Sequence, residues 1–294
     1  MKWMEQLSAS LSSDAPILIA GPTASGKSSL ALHLAQRFDL PIVNADALQV
    51  FEDWRILTAR PSKEDEDLAV HLLYGHIPGN QTYSVGDWLR EVEPIVGTRS
   101  SIIVGGTGLN FSALTHGLAE IPEISEATRA EFAERLELNG LSQLASEVDA
   151  KTLEGIDQNN PRRVQRAWEV LKDTGRGLSD WQAETGAPLC ELNTHQSIVL
   201  DSPKDWLTPR IEMRFDKMLE EGLCDEARAN VDTWREDLPS AKAIGAREAI
   251  EFVTGRIDGD VFRDAIQTQT RQYAKRQRTW FRKRMKDWTW VQPF

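Results

Sequence analysis

The stretch "ILIAGPTASGKSSLALHL", residues 17–34, decides the fold because it places a phosphate-binding pattern between a strand and a helix. Residues 17–20 are an apolar run typical of a buried strand, and residues 28–38 carry apolar side chains at helical spacing. Between them, residues 21–28 match the pattern G-x-x-x-x-G-K-[ST] at every fixed position. This order predicts a phosphate group held at the N-terminus of the helix.

Further apolar runs outside this stretch predict the rest of a sheet. Residues 41–45 form a second strand that ends at Asp46, and residues 101–104 form a third, stopped by two glycines. Residues 197–200 read as another core strand. We therefore expect an α/β fold, a P-loop NTPase-like parallel sheet core flanked by helices, with ligands at the carboxyl ends of the strands.

The strand pattern stops between residues 121 and 189, where charged helical segments take over. The periodicity predicts helices over 126–138, 141–153 and 162–172, with Asn160 as the cap of the last one. We expect an all-helical insertion domain, 121–189, inside a core domain built from 1–120 and 190–294. The part after residue 203 is expected to be mostly helical.

Composition narrows the class of protein. The net charge of −11 argues against a surface coated with basic residues for nonspecific nucleic-acid binding. Two cysteines, Cys190 and Cys224, lie far apart and support neither a disulfide framework nor a zinc site. No stretch approaches the roughly 20 apolar residues of a membrane span, so we expect a cytoplasmic protein with no membrane partner.

The phosphate loop supplies backbone N–H groups, the positive charge of Lys27 and a hydroxyl, Ser28, that can bind Mg²⁺. It does not say what the phosphate is attached to. The third strand ends without the carboxylate that a nucleotide hydrolase places there, whereas Asp46 follows the second strand. Small-molecule P-loop kinases can place an acceptor-binding acid at that point, so the loop alone leaves the reaction open.

Charge is segregated along the chain. Residues 271–286, "RQYAKRQRTWFRKRMK", hold eight basic residues and no acidic one. Helical spacing predicts one basic stripe with interleaved aromatic side chains, made of Arg271, Lys275, Arg278 and Arg282 with Tyr273, Trp280 and Phe281. A solvated helix face is the alternative, and it also applies to the smaller cluster Arg162, Arg163 and Arg166. In so acidic a chain, both clusters favour binding of a polyanion.

A series of motifs makes the chain resemble the tRNA dimethylallyltransferase (tRNA isopentenyltransferase) family. The motifs occur in the family's order over nearly the whole chain: "GPTASGKS" at 21–28, "NADALQVF" at 44–51, "TARP" at 58–61, "VGGTGLN" at 104–110, "NNPRRVQRAWEV" at 159–170, "AKAIGAREAI" at 241–250 and "TRQYAKRQRTWFRK" at 270–283.

The resemblance implies a prenyl transfer. The loop would hold the diphosphate of dimethylallyl diphosphate, and the prenyl group would move to N6 of the adenosine 3′ of the tRNA anticodon, position 37. Asp46 matches the family's general base, and Lys27 and Thr107 match residues near the leaving group. Diphosphate binding is then expected from Gly21, Pro22, Thr23, Ala24, Ser25, Gly26, Lys27 and Ser28, with Mg²⁺ as cofactor held by Ser28.

The same comparison implies a set of tRNA contacts. The expected residues are Asp46, Ala47, Leu48, Gln49, Thr107, Arg129, Arg162, Arg163, Arg166, Lys242, Arg247, Lys275, Arg276, Gln277, Arg278, Thr279, Trp280 and Arg282. The insertion would grip the anticodon stem-loop, and the target base would be flipped from its stack. No obligate protein partner is expected, and a monomer is the default.

The chain departs from the family pattern at four positions. Ala47 stands where Ser is usual, Phe51 and Asn110 where Tyr is frequent, and Arg162 where Gln is usual. These changes bear on how the protein holds tRNA, and they leave the phosphate loop and the general base intact.

Three other functions are alternatives to prenyl transfer to tRNA. They are a small-molecule kinase, prenyl transfer to a free adenine nucleotide, and a catalytically idle tRNA-binding protein.

Overall fold

A computed structural model describes residues 2–98, 100–191 and 195–294 of the chain. Within these ranges six strands form one sheet in which every neighbouring pair is parallel. The strands are β1 (Ile17–Ala20), β2 (Ile42–Asn44), β3 (His71–Leu72), β4 (Ile102–Gly105), β5 (Gln196–Leu200) and β6 (Thr289–Val291). Their spatial order is β3-β2-β4-β1-β5-β6. The predicted α/β fold with a parallel sheet is confirmed.

Helices connect the strands and account for most of the remaining chain. They are α1 (Lys2–Ser8), α2 (Lys27–Phe38), α3 (Lys63–Leu68), α4 (Val85–Thr98), α5 (Gly108–His116), α6 (Glu126–Ser146), α7 (Ala150–Gly155), α8 (Pro161–Thr174), α9 (Leu178–Ala183), α10 (Lys204–Glu220), α11 (Leu223–Asn230), α12 (Ala246–Val253) and α13 (Gly259–Arg284). Short 3₁₀ turns occupy Val231–Thr233 and Ser240–Lys242.

Strand β1 lies between β4 and β5, and this position explains its unbroken apolar sequence. Ile17 pairs with Ile102 on one side and with Gln196 on the other. All four residues of β1 are fully buried, because a parallel sheet covered by helices offers no solvated face. Helix α2 packs on this sheet through Leu30 and Leu34.

The strand order sets the location of the site. Strands β2, β4 and β1 are consecutive neighbours in the sheet and parallel to one another. The chain leaves their carboxyl ends at Asp46, at Gly106 and at the phosphate loop, which we define as residues 21–28. The three segments that carry the predicted chemistry therefore meet at one edge of the sheet.

The chain divides into two compact units. One comprises Met1–Thr115 and Cys190–Phe294, and the other comprises His116–Leu189. The chain leaves and re-enters the first unit at adjacent points, because the backbone amide of Cys190 donates to the carbonyl of Leu114 at 3.0 Å. The sequence had placed the first boundary at residue 121.

The second unit contains α6 to α9 around its own apolar core, which includes Phe132, Leu144, Val164 and Trp168. One helix prediction for this unit is wrong. A continuous helix over 141–153 is broken after Ser146, because Asp149 caps a new helix by accepting from the amide of Thr152 at 2.8 Å.

The sequence also missed several short elements. Strands β3 and β6 have two and three residues, too few for a detectable alternation of apolar and polar side chains.

Among the described residues, no helix combines the length and apolar character needed to cross a membrane.

Candidate active site

The phosphate loop leaves β1 and enters α2 through two left-handed backbone positions, Ala24 (φ 61°) and Gly26 (φ 87°). The amide of Ser25 donates to the carbonyl of Pro22 at 3.2 Å, which closes the turn. A Cβ on Gly21 would lie 2.7 Å from Ser25 Oγ, so a larger residue at this position would have to displace that buried hydroxyl. A compact turn of this kind at a helix N-terminus presents a concave set of N–H groups that binds anions.

Lys27, the first residue of α2, reaches back across the loop. Its Nζ donates to the carbonyl of Pro22 at 3.3 Å. The pKa of Lys27 is lowered to about 8, chiefly by burial and also by the charge of Arg214, while the carboxylate of Asp46 opposes both effects. The protein therefore neutralises the positive charge of Lys27 only in part, and a bound anion would neutralise the rest.

Two arginines on α10 add positive charge beside the loop, and the sequence analysis missed both. Arg210 Nε donates to the carbonyl of Ala24 at 2.9 Å, and Arg214 Nη2 donates to the carbonyl of Thr58 at 3.3 Å. Burial lowers the pKa of Arg214, and Asp46 opposes this shift. Their spacing of four residues is the only sequence signal, and it also fits a solvated helix face.

Asp46 is fixed by a local turn at the end of β2. Its amide donates to Asn44 Oδ1 at 2.8 Å, and its Oδ1 accepts from the amide of Leu48 at 3.0 Å. Its Oδ2 lies on the side of Gly106, where an added Cβ would be 3.3 Å away. One carboxylate oxygen thus holds the backbone while the other faces the end of β4.

Thr107 joins the ends of β2 and β4. Its Oγ1 accepts from the amide of Ala47 at 3.0 Å, and its own amide donates to the carbonyl of Ala45 at 3.3 Å. Tyr273, on α13, lies at the same place: burial raises its pKa, as does the charge of Asp46, while hydrogen bonds to Thr107 and Gln277 act in the opposite direction. Tyr273 is a further site residue, which the sequence placed only among the aromatic side chains of the basic stripe.

Gln277, predicted to contact tRNA, is 5% exposed. Its Oε1 accepts from the amide of Thr23 at 2.8 Å, and its Nε2 donates to the carbonyl of Gly106 at 3.0 Å. The side-chain amide is therefore taken up by the protein's own backbone, and a direct tRNA contact would require breaking these bonds.

One cavity of about 90 Å³ lies among these groups, and Tyr273 and Gln277 contribute to its lining. Its polar wall includes Lys27, Asp46 and Arg214, and its apolar wall is supplied by Leu48, Leu57, Met218, Ile244 and Ile266. Ser28 and Gln49 also line it. The arrangement suits a small molecule with an anionic end and an apolar end.

A larger cavity of about 520 Å³ adjoins the first and shares Ser28 and Gln49 with it. Its lining contains neither Lys27 nor Asp46. The larger cavity would be the candidate active site if volume were the only criterion. Because Lys27, Asp46 and Arg214 line the smaller cavity, we place the chemistry there.

The residues predicted to bind tRNA on α13 present a mixed surface. Lys275, Arg276 and Thr279 are exposed. Arg282 is exposed and pairs with Asp201 at 3.4 Å. Two other members of the set are less accessible: Arg278 is partly buried, and Trp280 covers Gly108, where a Cβ would be 2.2 Å from the indole ring.

The remaining predicted contacts in this unit differ in their availability. Ala47 and Lys242 are exposed. Gln49 Nε2 donates to the carbonyls of Thr58 and Ala59 at 2.8 and 3.0 Å. Arg247 pairs with two acids, Glu251 at 2.9 Å and Glu236 at 3.6 Å, which reduces its net positive field.

The insertion unit brings its predicted arginines together on α6 and α8. Arg162 and Arg163 are exposed in the first turn of α8, whose start is capped by Asn160 as predicted. Burial of its guanidinium lowers the pKa of Arg166, the charge of Glu169 opposes this shift, and the charge of Arg129, close enough to interact, lowers the pKa as well. The four arginines thus form a basic patch within this unit.

Neither cysteine takes part in the site. Cys190 and Cys224 are free, and burial raises the pKa of the Cys190 thiol to about 11. Among the described residues there is no cluster of three or more histidine, cysteine, aspartate or glutamate side chains that could hold a metal. A metal here would depend on oxygen atoms of the substrate as well as the protein.

Comparison with known proteins gives matches over nearly the full chain. Residues 49–284 match the family described as IPP transferase, and residues 16–70 match isopentenyl transferase. The tRNA dimethylallyltransferase of Dinoroseobacter shibae is 54% identical over 96% of this chain and 96% of its own. That of Cereibacter sphaeroides is 53% identical over 94% of this chain and 88% of its own.

Solved structures agree in fold. The full-length tRNA isopentenylpyrophosphate transferase from Bacillus halodurans is 31% identical, covers 95% of this chain and 90% of its own, and has a TM-score of 0.67. A eukaryotic dimethylallyltransferase captured acting on tRNA has a TM-score of 0.81 at 23% identity, covering 95% of this chain and 73% of its own. The second likeness bears on the fold alone.

Proposed function

The chain belongs to the IPP transferase family of tRNA dimethylallyltransferases, and on that basis we propose how its residues carry out the reaction. The protein is an enzyme that transfers a dimethylallyl group to tRNA, which confirms the activity predicted from the sequence. We take dimethylallyl diphosphate as the donor. The acceptor is N6 of the adenosine 3′ of the anticodon, position 37, and the products are N6-isopentenyladenosine and diphosphate.

The observation that carries this proposal is the meeting of Lys27, Arg214 and Asp46 in one cavity whose other wall is apolar. Two cations beside a concave set of N–H groups match a diphosphate. The apolar wall matches a five-carbon prenyl group, which has no hydrogen-bonding atom. A nucleoside would leave its ribose and base polar groups without partners against that wall.

Asp46 acts as general base in this scheme. The C–N bond forms as the allylic C–O bond breaks, the electron pair leaves with the diphosphate, and the N6 proton passes to Asp46. The lone pair of an adenine amine is delocalised into the ring, so a carboxylate that accepts its N–H both orients the nitrogen and removes the proton. Oδ2 is the oxygen available for this, since Oδ1 holds the amide of Leu48.

The leaving group is stabilised by groups that match its charge. Departure of diphosphate from an allylic carbon develops negative charge on oxygen and positive charge on carbon. Lys27, Arg214 and the loop amides lie where the negative charge grows, and fixed cations of this kind lower the barrier without reorganising. Thr107 holds the turn that carries Asp46, because its hydroxyl accepts a hydrogen bond from the amide of Ala47.

The donor set present is compatible with Mg²⁺. Ser28 is exposed at the start of α2 and lines the same cavity as Asp46. Mg²⁺ keeps several waters and binds substrate phosphate oxygens, so the hydroxyl of Ser28 would hold it together with the diphosphate and leave Asp46 to act as the base. When bound, the ion would neutralise charge on the diphosphate.

The test uses purified protein, Mg²⁺ and labelled dimethylallyl diphosphate with three acceptors. These are an anticodon stem-loop RNA with adenosine 3′ of the anticodon, the same RNA with guanosine there, and AMP. We expect label on the adenosine RNA alone. Label on the guanosine RNA would refute the acceptor assignment, and label on AMP alone would show a free-nucleotide enzyme.

A further inference from the structure

Gln277 differs from its neighbours on the basic helix α13. Lys275 and Arg276 are exposed, whereas Gln277 is buried and reaches into the site. Its side chain is the only amide on this helix segment, 275–280, and it makes no contact that would serve RNA. The position therefore needs an explanation other than surface charge.

The two bonds of Gln277 connect separate parts of the site. Its Oε1 takes the amide of Thr23 in the phosphate loop, and its Nε2 gives a hydrogen bond to the carbonyl of Gly106 at the end of β4. These residues are far apart in sequence and belong to the segments that follow two neighbouring strands. The side chain of Gln277 thus connects the phosphate loop to the segment that carries Thr107.

The space around Gln277 leaves little freedom. A Cβ on Gly106 would lie 2.2 Å from Gln277 Nε2 and 3.3 Å from Asp46 Oδ2. Gln277 is therefore within a few atoms of the proposed base. Tyr273, one turn earlier on α13, is hydrogen-bonded to it.

We propose that Gln277 is a positioning residue that fixes the distance between the phosphate loop and the base. This inference rests on the proposed function of the site. A misplacement of about 1 Å between reacting groups can reduce the rate by about 100-fold. Loss of the amide would also remove the partner of the partly buried Thr23 N–H and of the buried Gly106 carbonyl.

The experiment compares Gln277→Met, which keeps the shape and removes both bonds, with Gln272→Met, an exposed glutamine on the same helix. For each variant, kcat, the KM of the stem-loop RNA and the melting temperature are measured. We expect Gln277→Met to lower kcat at least 10-fold with the RNA KM within about threefold of wild type. Gln272→Met should match wild type in all three.

A third variant, Gln277→Glu, gives a signature that a structural role would not. Protonated glutamic acid can accept from Thr23 and donate to Gly106 as glutamine does, whereas the ionised form cannot donate and adds charge beside Asp46. The kcat of Gln277→Glu relative to wild type should rise as pH falls from 8.5 to 5.5. The relative kcat of Gln277→Met should stay flat.

The outcomes separate this proposal from its premise. An unchanged kcat with a raised RNA KM for Gln277→Met would make the residue a tRNA contact and overturn the proposal. A lower melting temperature with wild-type kcat would make it purely structural, which also overturns it. If wild-type protein transferred no prenyl group to the stem-loop, the proposed function itself would fail.

Discussion

At the scale of single residues, Asp46 combines a structural bond with a free face. Its Oδ1 accepts from the amide of Leu48, and asparagine could keep that bond because it retains an acceptor at the same place. We therefore expect Asp46→Asn to keep the turn and lose the base. The kcat should fall by about 10² to 10⁴, with stem-loop affinity within a few fold, as measured by single-turnover assays and RNA titration.

The matched control is Asp67→Asn, which removes the same charge from an exposed position on α3. It should leave kcat unchanged. Assays belong at pH 7, because the loss of the Asp46 carboxylate removes the charge that raises the pKa of Lys27. Turnover by Asp46→Asn at a wild-type rate would show that another group takes the proton.

Lys27 predicts a pH dependence of donor binding. Burial lowers its pKa from 10.5 to about 8, so the free enzyme loses this charge as pH rises through 8. A bound diphosphate favours the ammonium, so binding above pH 8 must take up a proton. Affinity for a non-hydrolysable donor analogue should then fall by up to about tenfold per pH unit.

Calorimetry from pH 7 to 10 in buffers of different ionisation enthalpy measures both the affinity and the proton uptake. Lys27→Arg should bind more weakly at pH 7 and show a flatter profile, because arginine stays charged. A flat wild-type profile would contradict the lowered pKa.

The sequence located the part of the site that follows from strand ends. Asp46 and the phosphate loop each follow a strand of a parallel sheet, so their approach could be predicted from topology. Arg214 and the bridging role of Gln277 could not. They depend on how α10 and α13 pack against the sheet edge, and no local spacing encodes that packing.

At the scale of elements, α13 carries exposed cations next to the site. Lys275→Glu with Arg276→Glu should weaken stem-loop binding and reduce the slope of log affinity against log salt by about 1 to 2, since fewer counterions are released. Fluorescence anisotropy across a salt series measures both quantities. Helix α13 would then bind RNA through the charges of Lys275 and Arg276 and not through Gln277.

The control for this pair is Lys204→Glu with Lys217→Glu, two exposed positions on α10 with the same total change of charge. Its salt slope should equal that of wild type. An equal loss in both pairs would mean that only the net charge matters, and it would return α13 to an ordinary solvated face.

Helix α8 begins with a cap that the sequence predicted. Asn160 Oδ1 accepts from the amides of Arg162 and Arg163 at 3.1 and 3.3 Å. Asn160→Ala should lower the stability of the insertion unit by about 1 kcal/mol. Urea unfolding followed by hydrogen exchange in α8 would measure it, with Asn159→Ala, whose side chain is exposed, as the comparison.

Elements were predictable where they were long or bounded by strong signals. Strand β1 and helix α2 fall within a residue of the predicted bounds, because the glycine-rich loop separates two clear periodicities. The break between α6 and α7 was missed because Asp149 reads as one more polar residue in a helical pattern. Only its bond to the amide of Thr152 identifies it as a cap.

At the scale of the whole molecule, the chain leaves for the insertion and returns from it at neighbouring residues. Because the amide of Cys190 donates to the carbonyl of Leu114, the two ends of the insertion are neighbours. Replacing residues 116–189 by a short Gly-Ser bridge should leave the remaining unit folded. It should bind the donor analogue within about threefold of wild type and lose most of its stem-loop affinity.

Circular dichroism and calorimetry with both ligands check this prediction. Loss of donor binding in a folded deletion protein would show that the insertion helps to build the donor site. Unchanged stem-loop affinity would remove the basis for assigning the arginines of α6 and α8 to tRNA.

The buried thiol at this connection has a practical consequence for spectroscopy. Cys190 is 2% exposed with a pKa of about 11, while Cys224 on α11 is partly exposed. A maleimide dye at neutral pH should therefore react at Cys224 first and mark the catalytic unit without mutagenesis. One cysteine introduced on the insertion would complete a donor–acceptor pair for energy transfer, and the distance between the two dyes could be recorded in single molecules during turnover.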